Sequence, residues 1–308
     1  MVRESVRGRR ILVTGGAGFI GSHLVEALAP DNDVIVLDNF SSGDRAVVPD
    51  GVSVHEGDIR DESVVDAAME GIDLVFHQAA MVSVPESVDR PVACHELNGS
   101  ATVGVLDCAR RADARVVLAS SAAVYGKPDS VPVAESDPVD PTSPYAFEKR
   151  QNELYAAFYR ETYGLPTVPL RYFNVYGPRG IDGEYAGVIG TFVRQALSGQ
   201  PLTVEGDGEQ TRDFVHVDDV VRANIRAATT EAVGQPFNVG TGHAVTINRL
   251  AETVREIVDT GLSIEHVPAR SGDIRRSEAD DDLARERLGF DATVPLPDGI
   301  ERTIAAER

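Results

Sequence analysis

Apolar runs and amphipathic stretches take turns through the first half of the chain. Ile11-Leu12-Val13-Thr14 is apolar and β-branched without polar alternation, as in a strand buried on both faces. Ser22 to Leu28 then repeats its apolar residues at helical spacing. Asp33 to Asp38, Val52 to Glu56, Leu74 to His77 and Arg115 to Ser120 read as further strands. Helices are expected around Ser63–Met69, Ala93–Arg111 and from Pro144 to about Thr162. This alternation predicts an α/β fold, a doubly wound parallel sheet with helices on both faces. Past Arg171 the pattern is less regular. Helices are expected at Val188–Leu197, Asp218–Thr229, Val245–Val258, Asp281–Leu288 and Asp298–Glu307, with a short strand at Leu202–Val204. They predict a smaller C-terminal α/β lobe and more than one crossing between lobes. The larger part would take residues 1–172 plus about 213–240; the smaller would take about 173–212 and 241–308.

Between the first strand and helix stand Gly15, Gly16, Gly18 and Gly21. Gly16, Gly18 and Gly21 make a G-x-G-x-x-G match, and a strand before and a helix after give that match its meaning. The turn is too tight for a Cβ, the backbone must approach a pyrophosphate, and the helix must sit close on the strand. A pyrophosphate would meet unpaired N–H groups and the positive end of the helix dipole. The pattern therefore points to a Rossmann-type dinucleotide site. Asp38 ends the second strand about 20 residues on, where a carboxylate accepts hydrogen bonds from both adenosine ribose hydroxyls. That favours NAD over NADP, whose 2′-phosphate would meet like charge. Arg45 is the nearby cation that would argue the other way. The alternative is that Asp38 caps the turn before Asn39-Phe40-Ser41-Ser42-Gly43.

The net charge of -20, from 49 acids against 29 bases, argues against nucleic acid and anionic membranes as partners. Lysine occurs only at Lys127 and Lys149. An acidic, lysine-poor chain suits a salt-rich cytoplasm, where screening relieves self-repulsion; an arginine bias of the genome would explain the scarce lysine but not the excess acid. Cys94 and Cys108 lack metal-ligand spacing and are expected as buried thiols, so no metal is expected. The run MVRESVRGRR is basic without an apolar signal core, and no apolar run reaches membrane-spanning length. A soluble cytoplasmic protein is expected.

Two strand ends should touch a dinucleotide: Asp58-Ile59, with Asp58 able to meet the adenine amine, and His77-Gln78-Ala79-Ala80. His77 itself is expected to be packed rather than catalytic. Gly126 to Thr142 is rich in Pro, Asp, Ser and Val, a loop at the carboxyl edge of the sheet, where ligands of such sheets bind. Ser120-Ser121 ends the fifth strand, and Pro144-Tyr145-Ala146-Phe147-Glu148-Lys149 opens a helix. Tyr145 and Lys149, four apart, share one helical face. A phenol with an ordinary pKa near 10 is a poor base; a neighbouring ammonium and a positive nicotinamide both favour the phenolate. With Ser121 holding the substrate oxygen, the trio suits hydride transfer at a carbinol.

The segments TGGAGFIG (14–21), LDNFSSG (37–43), GDIRD (57–61), HQAA (77–80), SSAAVYG (120–126) and YAFEK (145–149) resemble the extended short-chain dehydrogenase/reductases. RYFNVYGPR (171–179), GDGEQTRDFVHVDD (206–219) and RSGDIRRSEAD (270–280) extend the resemblance over nearly the whole chain, in the branch of NAD-dependent nucleotide-sugar epimerases and dehydratases. Within it the chain is most similar to UDP-glucose 4-epimerases. The resemblance implies Ser121, Tyr145 and Lys149 as the catalytic set. It implies a cofactor site of Gly15, Gly18, Phe19, Ile20, Gly21, Asp38, Asn39, Ser42, Gly43, Asp58, Ile59, Gln78, Ala79, Ala80, Asn98, Ser120, Tyr145, Lys149 and Phe173. Asn98 would order the site and Phe173 would lie beside the nicotinamide. On the side of a UDP-sugar it implies Ser83, Ser121, Asn174, Arg212, Arg270 and Ser277, the arginines holding the nucleotide and its phosphates. For Arg212 a salt bridge to Asp213 or Asp218 is the competing expectation. Dehydratases of the branch carry acids just after the serine; Ala122 and Ala123 stand there, which favours plain C4 epimerisation. Ser277 replaces a bulky aromatic, so N-acetylated sugars should fit. Leu202 to Val204 would lie against uracil or form an ordinary edge strand. The helices near Ala93–Arg111 and Pro144–Thr162 match those of a homodimer contact, unless Leu154, Tyr155, Phe158 and Tyr159 are buried within one chain.

Overall fold

The computed structural model describes residues 6–181, 186–258, 261–270 and 272–308. The first five residues of the basic N-terminal run and Ser271 of the 270–280 segment therefore lie outside the described residues. Seven strands form one sheet: β1 (Arg10–Thr14), β2 (Asp33–Asp38), β3 (Ser53–Glu56), β4 (Leu74–His77), β5 (Arg115–Ser121), β6 (Thr167–Tyr172) and β10 (Phe237–Val239). The order is β10-β6-β5-β4-β1-β2-β3 and every pairing is parallel. The order reverses between β1 and β4, the crevice where such sheets take their ligands.

The unbroken apolar runs follow from burial on both faces. In β1, Ile11 and Val13 feed one core, and Leu12 feeds the other. The first core packs α1 (Phe19–Leu28), α8 (Val217–Ala227) and α10 (Asp282–Leu288); the second packs α2 (Glu62–Ala68), α5 (Ala101–Arg111) and α6 (Pro144–Tyr163). Two more helices, α3 (Val84–Asp89) and α4 (Pro91–Cys94), precede α5. The expected Ala93–Arg111 helix starts earlier, in α4, and is interrupted by a π-helical stretch at His95–Ser100.

The second half carries its own core. Strand β7 (Asn174–Tyr176) pairs with β9 (Thr211–His216), which pairs with β11 (Ala244–Thr246); β8 (Leu202–Glu205) pairs with β12 (Ile264–Val267). Helices α7 (Val188–Leu197), α9 (Ile247–Val258) and α11 (Leu296–Ala306) cover them. The helix expected from Val245 starts at Ile247, because Val245 and Thr246 pair antiparallel with β9. Leu202 and Val204 are buried in this core, paired with β12. Along α6, Tyr159 is buried in the second core, whereas Leu154, Tyr155 and Phe158 are 56%, 38% and 48% exposed. Phe147 on the same helix and Val88 and Val92 on α3 and α4 are also exposed. Among the described residues no helix is long and apolar enough to cross a membrane.

Candidate active site

A groove crosses the carboxyl edge of the large sheet. Its outer part is lined by Gly15, Gly18, Asp38, Asn39, Ser42, Gly43, Ile59, Gln78, Ala79 and Ala80. Its inner part, a cavity of about 330 Å³, is lined by Gly15, Gly18, Phe19, Ile20, Gly21, Gln78, Ala80, Ser120, Ser121, Tyr145, Lys149, Phe173 and Asn174. The two parts share Gly15, Gly18, Gln78 and Ala80. Most of the expected cofactor residues and the whole catalytic trio thus meet in one place.

Backbone geometry forms the outer end. Gly15 has φ 67°, and a Cβ there would lie 2.7 Å from Ala79 N. A Cβ on Gly21 would lie 2.0 Å from Gly15 O, so helix α1 can sit this close only on glycine. Helices α2, α3 and α6 have side-chain caps from Asp61, Ser83 and Ser143, but α1 begins at Gly18 with none. No side chain caps the turn where a pyrophosphate would meet the helix N-terminus. Asp38 accepts from Ala17 N at 2.9 Å and from Phe40 N at 2.8 Å. It therefore holds the glycine turn and caps the next one while lining the groove. Arg45 pairs with Glu56 and stacks over Phe40, so it is not engaged with Asp38. These features fit NAD.

Some expected residues stand outside the lining. The Asp58 carboxylate is taken by Arg60, at 2.7 and 2.9 Å, and by Asn39 Nδ2 at 3.0 Å. The hydrogen bonds from Arg60 hold it well below the usual carboxylate range. It braces Asn39, while its neighbour Ile59 reaches the groove. Asn98, in the π-helical stretch, is buried and grips Met81, accepting from its N and donating to its O, both at 2.7 Å. Ser83 caps α3 by accepting from Glu86 N. Arg212 pairs with neither Asp213 nor Asp218; its partner is Asp273, at 2.5 Å. Arg270 pairs with Glu205 at 2.9 Å. Ser277 is buried, its N–H donating to Thr211 O.

The inner end carries the chemistry. Ser121 ends β5, and its Oγ accepts from Ala123 N at 3.1 Å. Ser143 caps α6, Pro144 starts its first turn, and Tyr145 follows with its N–H donating to Ser87 Oγ. One turn on, Lys149 is buried, donates to Ala119 O at 2.9 Å and lies 5.7 Å from the Tyr145 ring centroid. Burial pushes the ammonium down to about 8. An ammonium this close to a phenol lowers the cost of the phenolate. Ser120 turns its hydroxyl to Glu153, 2.6 Å away. Among the described residues lining the inner cavity there is no carboxylate. Tyr172, not foreseen as a site residue, is buried in that wall and hydrogen-bonded to Gln78 and Asn224.

Cys94 and Cys108 are buried, as expected. His77 is buried and held at both nitrogens, by Thr14 Oγ1 at 2.7 Å and Thr102 Oγ1 at 2.9 Å. Thr102 Oγ1 donates its one proton to Asn98 O, so it accepts from His77 Nε2–H, and Nδ1 accepts from Thr14. The ring ties β1 to the first turn of α5. Burial, helped by the charge of Lys149, pushes His77 down to about 3. Between about 3 and the ordinary 6.5 the unfolded chain binds a proton that the folded chain refuses. Stability should therefore fall as the pH drops from 6.5 towards 3. His77→Gln should flatten that slope in urea titrations of the holoenzyme, and an unchanged slope would refute the assignment.

The chain is similar to known proteins over nearly its whole length. It is 40% identical over 304 residues to the UDP-glucose 4-epimerase of Mycolicibacterium smegmatis, covering 96% of this chain and 97% of that one. The solved UDP-glucose 4-epimerase of Thermotoga maritima with UDP-glucose superimposes with a TM-score of 0.94 at 38% identity, covering 97% of this chain and 98% of that one. The UDP-N-acetylglucosamine 4-epimerase of Methanobrevibacter ruminantium, in complex with UDP-N-acetylmuramic acid, gives a TM-score of 0.94 at 35% identity, covering 98% and 99%. A family model matches residues 11–240, and the chain belongs to the NAD dependent epimerase/dehydratase family.

Proposed function

We propose that this protein catalyses C4 epimerisation of a UDP-hexose, UDP-glucose to UDP-galactose and back. The observation that carries this reading is a Ser121–Tyr145–Lys149 cavity wall with no carboxylate among the described residues. Dehydration needs an acid and a base at neighbouring carbons, and methyl groups at Ala122 and Ala123 supply neither. Both similar solved proteins act on UDP-sugars at C4 by name.

Gly15, Gly18, Gly21 and Asp38 would hold NAD, which when bound supplies a hydride acceptor that gives back what it takes. Tyr145 takes the proton of the sugar 4-hydroxyl and returns it to the 4-keto sugar once that has turned over. Ser121 holds the same oxygen. Lys149 stabilises the phenolate and holds the nicotinamide ribose. Phe173 and Asn174 line the sugar side, and Arg212 and Arg270 exchange their carboxylate partners for the diphosphate. The buried Ser277 supports acceptance of N-acetylated hexoses. The exposed apolar residues of α3, α4 and α6 support a homodimer, tested by light scattering against twice 33.0 kDa. The acid excess supports a salt-adapted cytoplasmic enzyme, an idea that equal stability in dilute buffer and molar KCl would end.

The test is incubation of the holoenzyme with UDP-galactose in molar KCl, with products resolved by NMR. UDP-glucose without net NADH is expected. Accumulating 4-keto sugar or NADH would select a dehydratase or another oxidoreductase. Bound NAD and UDP without turnover of any UDP-sugar would leave a non-catalytic dinucleotide-binding protein. UDP-N-acetylglucosamine, run in parallel, decides the breadth.

A further inference from the structure

Asp213 is wholly buried, yet among the described residues no cation meets its carboxylate. Four donors converge on it. Oδ1 accepts from Thr241 N at 2.9 Å and Thr241 Oγ1 at 2.7 Å. Oδ2 accepts from Gly242 N at 3.0 Å and Ala279 N at 3.1 Å. These donors lie 28, 29 and 66 residues along the chain. Three segments thus close on one side chain: strand β9, the turn after β10, and the stretch that brings Ser277 to Thr211. The packing leaves no slack, since a Cβ on Gly240 would lie 2.8 Å from Asp213 Oδ2 and 2.6 Å from the Ala279 Cβ.

Two of the segments carry an expected substrate-side residue, and strand β7 brings a third against β9. Arg212 precedes Asp213. The Asp213 carbonyl accepts from Asn174 Nδ2 at 2.9 Å. Ala279 follows Ser277 by two residues. We propose that Asp213 is the positioning residue for nucleotide-sugar binding: its carboxylate sets the spacing of Arg212, Asn174 and Ser277 without touching the ligand. This rests on the UDP-sugar reading above.

An acceptor without donors of its own is required. In Asp213→Asn, an amide nitrogen at the Oδ2 position would face two backbone N–H groups. At the Oδ1 position it would face one, because the Thr241 hydroxyl can turn round and accept. Either way a buried N–H is orphaned and the three segments part. An error of this kind at the substrate side should weaken ground-state binding and spare the chemistry at Tyr145.

Asp219 supplies the control. It too is wholly buried and accepts from two backbone N–H groups, Thr293 and Val294, and it pairs with Arg222, but none of these partners neighbours Arg212, Asn174 or Ser277 in the chain. The experiment compares wild type, Asp213→Asn and Asp219→Asn as NAD holoenzymes. It reads the unfolding midpoint, NAD content, UDP affinity by calorimetry, and KM against kcat for the active sugar. For Asp213→Asn we expect UDP affinity to fall and KM to rise about ten- to hundredfold, the range for a lost hydrogen bond to a buried charge. NAD content should hold, and kcat at saturation should change less than about threefold. Asp219→Asn should lose stability with KM unchanged. Equal KM shifts in both variants, or a fall in kcat and NAD content alone, would reduce Asp213 to general structure and overturn the proposal. If Asp213→Asn does not fold, Thr241→Val, which removes one of the four donors, should raise KM several-fold; an unchanged KM would count against it. A wild-type enzyme that binds no UDP would fail the UDP-sugar reading itself, a result distinct from equal binding by wild type and variant.

Discussion

Tyr145→Phe should lower kcat about a hundred- to ten-thousandfold, the range for a positioned proton-transfer group, with bound NAD and the unfolding midpoint almost unchanged. The backbone that places the ring does not depend on the hydroxyl. Tyr145 N–H bonds to Ser87 Oγ, Ser143 caps the helix, and Lys149 is anchored to Ala119 O. Removing the oxygen therefore deletes the proton acceptor and leaves the groove standing. The ammonium of Lys149 has one bond to a carbonyl and the Tyr145 ring 5.7 Å away, so its influence falls on the phenol. Wild-type kcat/KM should also decline above about pH 8 as Lys149 loses its charge, and Tyr145→Phe should lack that limb. A variant with more than a tenth of wild-type kcat would remove Tyr145 from the role of base.

Glu153→Ala should cost about 3–5 kcal/mol of folding stability, the range for stranding a buried charge. Arg171 and Glu153 each have side chains only 2% exposed and meet through two hydrogen bonds, at 2.8 and 2.9 Å. The same carboxylate accepts from Ser120 Oγ and Arg150, and Arg171 also donates to Tyr125 Oη at 2.8 Å. Without Glu153 the guanidinium keeps only the phenol and the Glu135 carbonyl. A hydrophobic pair of similar volume, Glu153→Leu with Arg171→Met, should regain most of the loss because no charge is left uncompensated. Denaturant unfolding of the two variants decides it. A single variant that loses less than about 1 kcal/mol would mean that water reaches Arg171.

The large sheet was legible because its strands are buried on both faces and read as plain apolar runs. The glycine turn, Asp38 and the Ser121–Tyr145–Lys149 order were legible because each needs specific residue types at fixed spacing. Other features have no local signal. Strands β7, β10 and β11 are three residues long, too short to show a period. Nothing local marks Arg171 as buried; its partner Glu153 comes from another element. Arg212 has acids at 213 and 218, but the chain brings Asp273 to it from 61 residues away. The place of Asp58 after a strand points to a ligand contact, and its bonds to Arg60 and Asn39 have no signal of their own in the sequence.

The path of the chain between its sheets limits how the protein can move. It leaves the large sheet through Phe173, passes from β9 straight into α8 against the first core, adds β10, and departs again into β11. A rigid swing of the smaller sheets would have to bend these connections together with those into and out of α10, and the Asp213 carboxylate would have to release two segments at once. No single pair of residues can serve as a hinge. Heat should then unfold the chain in one cooperative transition. Opening of the groove during turnover falls to side chains and short loops rather than to one half parting from the other.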